Sequence, residues 1–296
     1  MEPIQYFPAA KAPSNPYFSI LIPSWNNLAF LQLCIRSIRE HSVVPFELIV
    51  HLNEGKDGSL EWVRDQQDIA YTHSISNVGV CHAMNAMREL AQADYLLYIN
   101  DDMYTLPGWD LLLQKEIQAC PNEYFFISST MIEPRAQSNC SIEANFGTNM
   151  DTFEEARLLA EFDTFEKADW QGATWPPNVV HKKMWDAVGG YSVEFTPGMY
   201  SDPDFSMKLW QAGVRLFKGL GQSRVYHFGS ISVKRVKQNR GYYQFIRKWG
   251  MTSSTLSKYY LRRGEQFDGP LVPQKIPLFV QLKNWYYRIS TARKTI

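Results

Sequence analysis

From Phe18 to Asp102 four short apolar runs, each closed by a polar turn, alternate with three helix-like segments. The runs are Phe18–Pro23, Phe46–Leu52, Ile69–His73 and Tyr95–Ile99. Each is too short for a buried helix and is bounded by Pro, Asn, Asp or Gly, as a buried strand is. Between them, Leu28, Leu31, Ile35 and Ile38 recur at helical spacing behind Asn27, a residue suited to an N-cap. A second helix opens at Ser59–Val63 and a third spans Val80–Leu90. Strand and helix in alternation with short connections predict an α/β fold, an open and mainly parallel sheet covered on both faces. Ligands of such sheets collect outside the carboxyl ends of the strands. Ser24, Asn53, Asn77 and Asp102 all follow strand ends or adjoining loops, so they are expected to line one crevice.

Composition narrows this further. With 45% hydrophobic and 20% charged residues over 296 positions, the chain can bury a sizeable core, as one large domain or two closely packed halves. Lys plus Arg equals Asp plus Glu at 30 each, which gives no global reason to expect a nucleic-acid partner. The charge is unevenly placed: residues 232–296 carry 14 Lys and Arg against 2 Asp and Glu. An acidic body thus precedes a basic extension. Cys34, Cys81, Cys120 and Cys140 form no C-x-x-C pair, and the N-terminus has no signal-peptide pattern. Buried thiols in a reducing, cytoplasmic compartment are the expectation. No apolar run approaches the roughly 20 residues that span a bilayer.

The remaining segments are less regular. Residues 1–16, rich in Pro and Ala, read as an arm. Phe125–Ser129 suits a strand, Asp151–Asp169 is acidic and helix-prone, and Trp175-Pro-Pro177 is a rigid aromatic turn. Gly189-Gly190 closes a helix, Asp204–Ala212 is amphipathic, and Tyr242–Tyr260 is helix-like before loops at Pro270, Pro273 and Pro277.

Three places carry candidate chemistry. Asn100-Asp101-Asp102 puts two carboxylates at the end of a buried strand, where they repel unless a cation or hydrogen-bond donors compensate them. A hard divalent cation bridging to phosphate is one answer; a turn-capping role is the other. Asp202 and Asp204 flank the start of a helix, Asp204 placed to cap it and Asp202 just outside. There Asp202 either faces the crevice as a base or is a second capping group, the more ordinary role from these residues alone. His227 follows a strand-like run and could ligate a metal or move a proton, though His51, His73 and His82 are equally available on that ground alone.

Taken together, the motifs resemble glycosyltransferase family 2 of the GT-A fold, enzymes that use nucleotide sugars and invert the anomeric centre. The resemblance covers about residues 17–230: Ser19-Ile-Leu-Ile-Pro-Ser-Trp-Asn26, Asp57-Gly-Ser59, Asn77-Val-Gly79 with Ala83 and Asn85, Asn100-Asp-Asp102 with Pro107-Gly-Trp109, Val188-Gly-Gly-Tyr191, Asp202-x-Asp204-Phe, and His227-x-Gly-Ser230. It implies a Rossmann-like GT-A domain over 17–230, with a nucleotide-sugar half at 17–115 and an acceptor half at 116–230, followed by a helical, basic and aromatic-rich extension at 231–296.

By the same resemblance Asp102 and His227 would hold a divalent cation, Mn²⁺ or Mg²⁺, and Asp202 would be the general base. Pro23, Ser24, Trp25, Asn53, Asn77, Gly79, Asn85, Asn100 and Asp101 would border the donor. Glu54 joins them because the acidic residue usual after the second strand is displaced here. Trp170, Trp175 and Tyr200 are candidates to stack on acceptor sugars, with core packing as the alternative. The implied reaction moves a sugar from a nucleotide diphosphate, UDP by default, to a hydroxyl of a glycan or lipid-linked acceptor in polysaccharide biosynthesis. Asn100 and Ser201 depart from the family's acidic residues at these places. That keeps open a retaining or nucleotidyltransferase-like enzyme, or an inactive sugar-binding protein. The extension mixes Lys and Arg with Trp and Tyr, which suits either docking on anionic lipid at the inner face of a membrane or folding over the acidic body.

Overall fold

A computed structural model describes residues 3–136, 138–229 and 240–292. Ser230 and the first residues of the basic extension lie outside the described residues. The four expected strands are β2 (Phe18–Trp25), β3 (Phe46–Asn53), β4 (Ile69–Ser74) and β5 (Tyr95–Tyr98). They pair in parallel in the order β4-β3-β2-β5. The crossover helices are α1 (Leu28–His41), α2 (Ser59–Arg64) and α3 (Gly79–Arg88).

Side-chain alternation along β2 shows why the sheet needs cover on both faces. Phe18, Ile20 and Ile22 pack with Leu31, Cys34, Ile35 and Ile38 of α1. Leu21 points the other way, into a cluster with Met84 and Met87 of α3. All are buried, and each fully buried aliphatic side chain contributes about 1.5–3 kcal/mol. That exceeds the effect of an N-cap, and Asn27 in fact makes no side-chain cap bond. Asp57 reaches across to accept from the Leu28 amide at 2.7 Å instead.

Residues 1–16, read as an arm, contribute β1 (Gln5–Phe7), which pairs antiparallel to β4 and covers that edge. The second half extends the same sheet. β6 (Met103–Thr105) leads into α4 (Trp109–Ala119) and β7 (Phe125–Glu133). β8 (Ile142–Glu143) and β9 (Trp170–Gln171) are short additions to β7 and β11 (Leu216–His227). β10 (Asn178–His181) runs antiparallel between β5 and β7 and joins the two halves into one sheet.

The acidic stretch 151–169 yields only one regular helix, α5 (Glu155–Glu161). Its continuation is diverted because the buried Arg224 guanidinium binds the carbonyls of Phe162 and Phe165. A desolvated cation with fixed acceptors outweighs local helix propensity.

α6 (Lys182–Val188) and α7 (Ser201–Gln211) cover the α3 face. α7 begins at Ser201, so Asp202 lies inside its first turn rather than outside the helix. Asp204 does not cap α7. It is fully buried and accepts from Trp249 Nε1 at 2.8 Å, with Lys248 Nζ at 2.9 Å. Those partners sit on α8 (Gly241–Trp249), which ends at Gly250. α9 (Ser253–Thr255) then passes into a wide helical turn over Leu256–Tyr260. Phe245, Ile246, Leu256, Leu261 and Leu271 are buried, so this part of the extension folds over the body. α10 (Leu278–Ala292) follows and packs on α8. No helix among the described residues is long and apolar enough to cross a membrane. The four cysteines are free thiols, Cys34, Cys81 and Cys140 buried and Cys120 half-buried.

Candidate active site

The carboxyl ends of β2, β3 and β5 open onto a cleft of about 820 Å³. Pro23, Ser24, Trp25, Asn53, Asn77 and Gly79 line one side. Asn53 is held rather than free: its Oδ1 accepts from the Val78 amide at 2.8 Å and from Ser74 Oγ at 3.3 Å. Asn77 Oδ1 accepts from the Gly79 amide at 2.8 Å, which turns the chain into α3. Gly79 is required there, because φ is +77° and a Cβ would come within 2.7 Å of Pro197 Cα. The neighbouring Val80 amide donates to the Pro197 carbonyl, so the N-terminal end of α3 rests on the loop before α7.

Asn100 and Asp101 line the cleft, whereas Asp102, expected there from the sequence, is buried and is not among the lining residues, although His227 beside it is. Asp101 Oδ2 accepts from Ser24 Oγ at 2.6 Å. Asp102 Oδ1 lies 3.6 Å from His227 Nε2, whose Nδ1 is 2.8 Å from Glu133 Oε1. Strand pairing brings them together, since His227 at the end of β11 is in register with Met103 of β6, and Glu133 ends β7. Burial alone would favour neutral imidazole, but the two carboxylates outweigh it and push His227 up to about 10. The second oxygen of Glu133, Oε2, is buried without a hydrogen-bond partner.

The cluster therefore demands positive charge, supplied either by a proton on His227 or by a cation. No group of three or more His, Cys, Asp or Glu among the described residues could hold a metal ion. Were a divalent cation held here, Asp102 and His227 would be its two protein ligands and Glu133 would orient the imidazole, so most of its ligands would have to come from outside the protein.

Across the cleft, Asp202 is partly reachable from the cavity yet enclosed by protein. Burial raises its carboxyl to about 7, against a hydrogen bond from Tyr191 Oη to Oδ1 at 3.0 Å that lowers it. Tyr98, at the end of β5, lies within the electrostatic reach of Asp202, Asp102 and Asp101, and burial followed by those charges raises its phenol well above the usual range. A carboxyl that ionises near neutrality at a cavity wall can accept a proton from a bound hydroxyl.

Trp175 and Tyr200 also line this side, and the Arg263 guanidinium lies 4.0 Å from the centre of the Trp175 ring. Besides Asp102, three residues named from the sequence lie outside the cleft lining. Trp170 is buried over Gly219, with its indole Nε1 donating to Thr130, so it packs the core. Asn85 spends both ends of its amide on the backbone of Tyr191 at 2.8 Å, clipping α3 to the loop after α6. Glu54 is not among the cleft-lining residues. Burial resists its ionisation, but bonds from Asn26, Lys56 and Trp25 win and hold its carboxyl below the usual range.

Sequence reasoning missed Glu133, because the run Phe125–Ser129 gave no sign that the strand continues to Glu133. It also missed Tyr191 as the partner of Asp202, and Ser253, Ser254, Ser257, Lys258 and Arg263 of the extension, which complete the cleft wall.

Comparison with known proteins gives these findings. Residues 19–140, 122 of the chain's 296 residues, match the family model described as glycosyl transferase family 2. An Escherichia coli K12 protein named for a glycosyl transferase role in colanic acid biosynthesis is 31% identical over 97 residues, 30% of this chain and 33% of its own length. Chondroitin synthase of Pasteurella multocida is 20% identical over 86% of this chain and 25% of its own length. The chain thus spans a third or less of these two relatives. Among solved structures, S. aureus TarS residues 1–349 share the fold with a TM-score of 0.57 at 12% identity, over 93% of this chain and 71% of that one. The mannosyltransferase PcManGT from Pyrobaculum calidifontis, in complex with GDP-Man and Mn²⁺, does so with a TM-score of 0.53 at 14% identity, over 98% and 76%.

Proposed function

We propose that this chain, whose residues 19–140 match the glycosyl transferase family 2 model and whose fold is shared with GT-A glycosyltransferases, transfers a sugar from a nucleotide diphosphate sugar to an acceptor hydroxyl with inversion. The observation that carries the reading is one cleft lined on one side by Asp202 and on the other by His227, behind which Asp102 is buried. Asp102 faces His227 and asks for a cation, whereas Asp202 ionises near neutrality. Two carboxyls with separated roles are what an acid–base reaction with an anionic leaving group requires.

The donor would lie across the ends of β2 and β3, between Pro23, Trp25, Asn53 and Asn77, a reading supported by solved structures of the same fold that hold UDP-GlcNAc or GDP-Man. UDP is the favoured nucleotide. Asp102 and His227 would hold Mn²⁺ or Mg²⁺, which when bound neutralises charge developing on the departing diphosphate. Asp202 accepts the proton of the acceptor hydroxyl as its oxygen attacks the anomeric carbon and the bond to the diphosphate breaks. Tyr191 keeps the Asp202 carboxylate turned toward the cavity. Trp175 and Tyr200 flank the acceptor, a glycan or a lipid-linked saccharide, with Arg263 bracing the Trp175 ring.

Thermal melting with UDP, GDP, CDP and dTDP, each with Mn²⁺ and with EDTA, tests the donor half. The expected outcome is stabilisation by one nucleotide only when metal is present, about 2.7 kcal/mol at 100 times the dissociation constant. Metal-dependent hydrolysis of the matching sugar nucleotide, lost in Asp202→Asn, tests the base. A well-folded protein that no nucleotide stabilises would overturn the reading in favour of a non-catalytic module.

A further inference from the structure

α10 presents opposite faces with opposite tasks. Val280, Asn284 and Thr291 are buried. Asn284 Oδ1 accepts from the Thr252 amide at 3.3 Å and from Thr255 Oγ1 at 3.1 Å, and Arg247 of α8 donates to the Thr291 carbonyl at 3.0 Å. Turned the other way are Leu278 and Phe279, each 70% exposed, Leu282 at 58%, Trp285 at 62%, Tyr286 at 64% and Ile289 at 41%. At the angular step of an α-helix these six side chains fall within an arc of about 120°. Lys283 and Arg288, both exposed, border that arc on its two sides, and Lys275 precedes it. No Asp or Glu occurs from Gly269 to Ile296.

Scattered exposed apolar residues are ordinary; six on one helical stripe are not. The basic borders select the occupant. A second copy of the same face would bring Lys283 and Arg288 against like charges, whereas an anionic lipid surface pairs with them. Trp and Tyr beside aliphatic side chains suit the boundary between headgroup and acyl chain.

We infer that α10 lies in the plane of an anionic bilayer, with Leu278, Phe279, Leu282, Trp285, Tyr286 and Ile289 inserted below the headgroups. Lys275, Lys283 and Arg288 bind lipid phosphates. The inference stands independently of the proposed reaction. It has a geometric corollary: Thr252 and Thr255, which hold Asn284, bracket Ser253 and Ser254 of the cleft wall. The docked helix therefore carries the cleft to the lipid surface.

Vesicle flotation of the full chain tests this, using phosphatidylcholine alone and phosphatidylcholine mixed with phosphatidylglycerol. The wild type is expected to float with the mixed vesicles and to lose that association at high salt. Leu282→Glu/Trp285→Glu should reduce recovery about tenfold while melting at the same temperature as the wild type. Lys283→Ser/Arg288→Ser leaves the apolar stripe intact and should abolish the preference for the anionic lipid, which decides the matter should the first variant fold poorly. Equal flotation of wild type and both variants, or no flotation of the wild type, would overturn the inference. So would a dimer in solution that Leu282→Glu/Trp285→Glu dissociates, since the face would then belong to a second copy.

Discussion

Asp202 holds its proton more tightly than an ordinary carboxyl because the surrounding protein has replaced most of its water, and this acts on rate and stability in opposite directions. As a base it must be ionised, so kcat/KM should rise with pH through about 7. Tyr191 favours the ionised form, so Tyr191→Phe should move that acidic limb to higher pH, a shift that a merely structural role would not produce. For stability the sign reverses. The folded state binds a proton that the unfolded state has released between pH 3.8 and about 7, so burying this group costs stability as pH rises through that window. Asp202→Asn should therefore melt higher than wild type at pH 8, with the difference vanishing near pH 4, while turnover falls about 10²–10⁴-fold and nucleotide binding persists. Paired melting curves and initial rates check both halves. Glu133 acts through His227. Glu133→Gln should weaken the apparent Mn²⁺ affinity about 10–100-fold in nucleotide-dependent melting.

At the scale of elements, the parallel core was legible because each of its strands is a local apolar run closed by turn residues, and the crossover helices carry their own 3.6-residue period. What was not legible depends on partners distant in sequence. β6 and β10 are three and four residues long and owe their existence to β11, β5 and β7. The helix expected over 151–169 yields to Arg224, more than fifty residues away. At the site, residues at the ends of β2, β3 and β5 were found from their own motifs, while Glu133 at the end of β7 and the contact of Tyr191 with Asp202 were not, since each is defined only by the side chain it touches. Asn85 was assigned to the donor by motif, yet its amide is fully engaged as a clip between α3 and the chain at Tyr191. Asn85→Ala leaves a backbone amide and a carbonyl unsatisfied, and should cost about 1–3 kcal/mol in denaturant unfolding without changing the nucleotide concentration needed for half-maximal stabilisation.

Across the whole molecule, the basic extension is part of the cleft rather than an appendage. Lys248 sits 2.9 Å from Glu194 and from the fully buried Asp204, and so joins α8 to α7. Lys248→Met would strand the Asp204 charge and should destabilise by about 3–5 kcal/mol, whereas Lys248→Met/Asp204→Leu should recover much of the loss, as a thermal-melting cycle would read. One further consequence lies in the pairing of β6 with β11. The parallel pairs β4-β3, β3-β2 and β2-β5 all lie within residues 17–99 and can form early, even on a growing chain, although β5 and α3 gain further partners later. Asp102 and Met103 must wait, because the strand that completes their edge of the sheet ends with His227, more than a hundred residues later in synthesis. A chain ending before residue 227 would lack the strand that brings His227 to Asp102, so the cation site proposed for these two residues would be completed in one late step, when β11 pairs with β6.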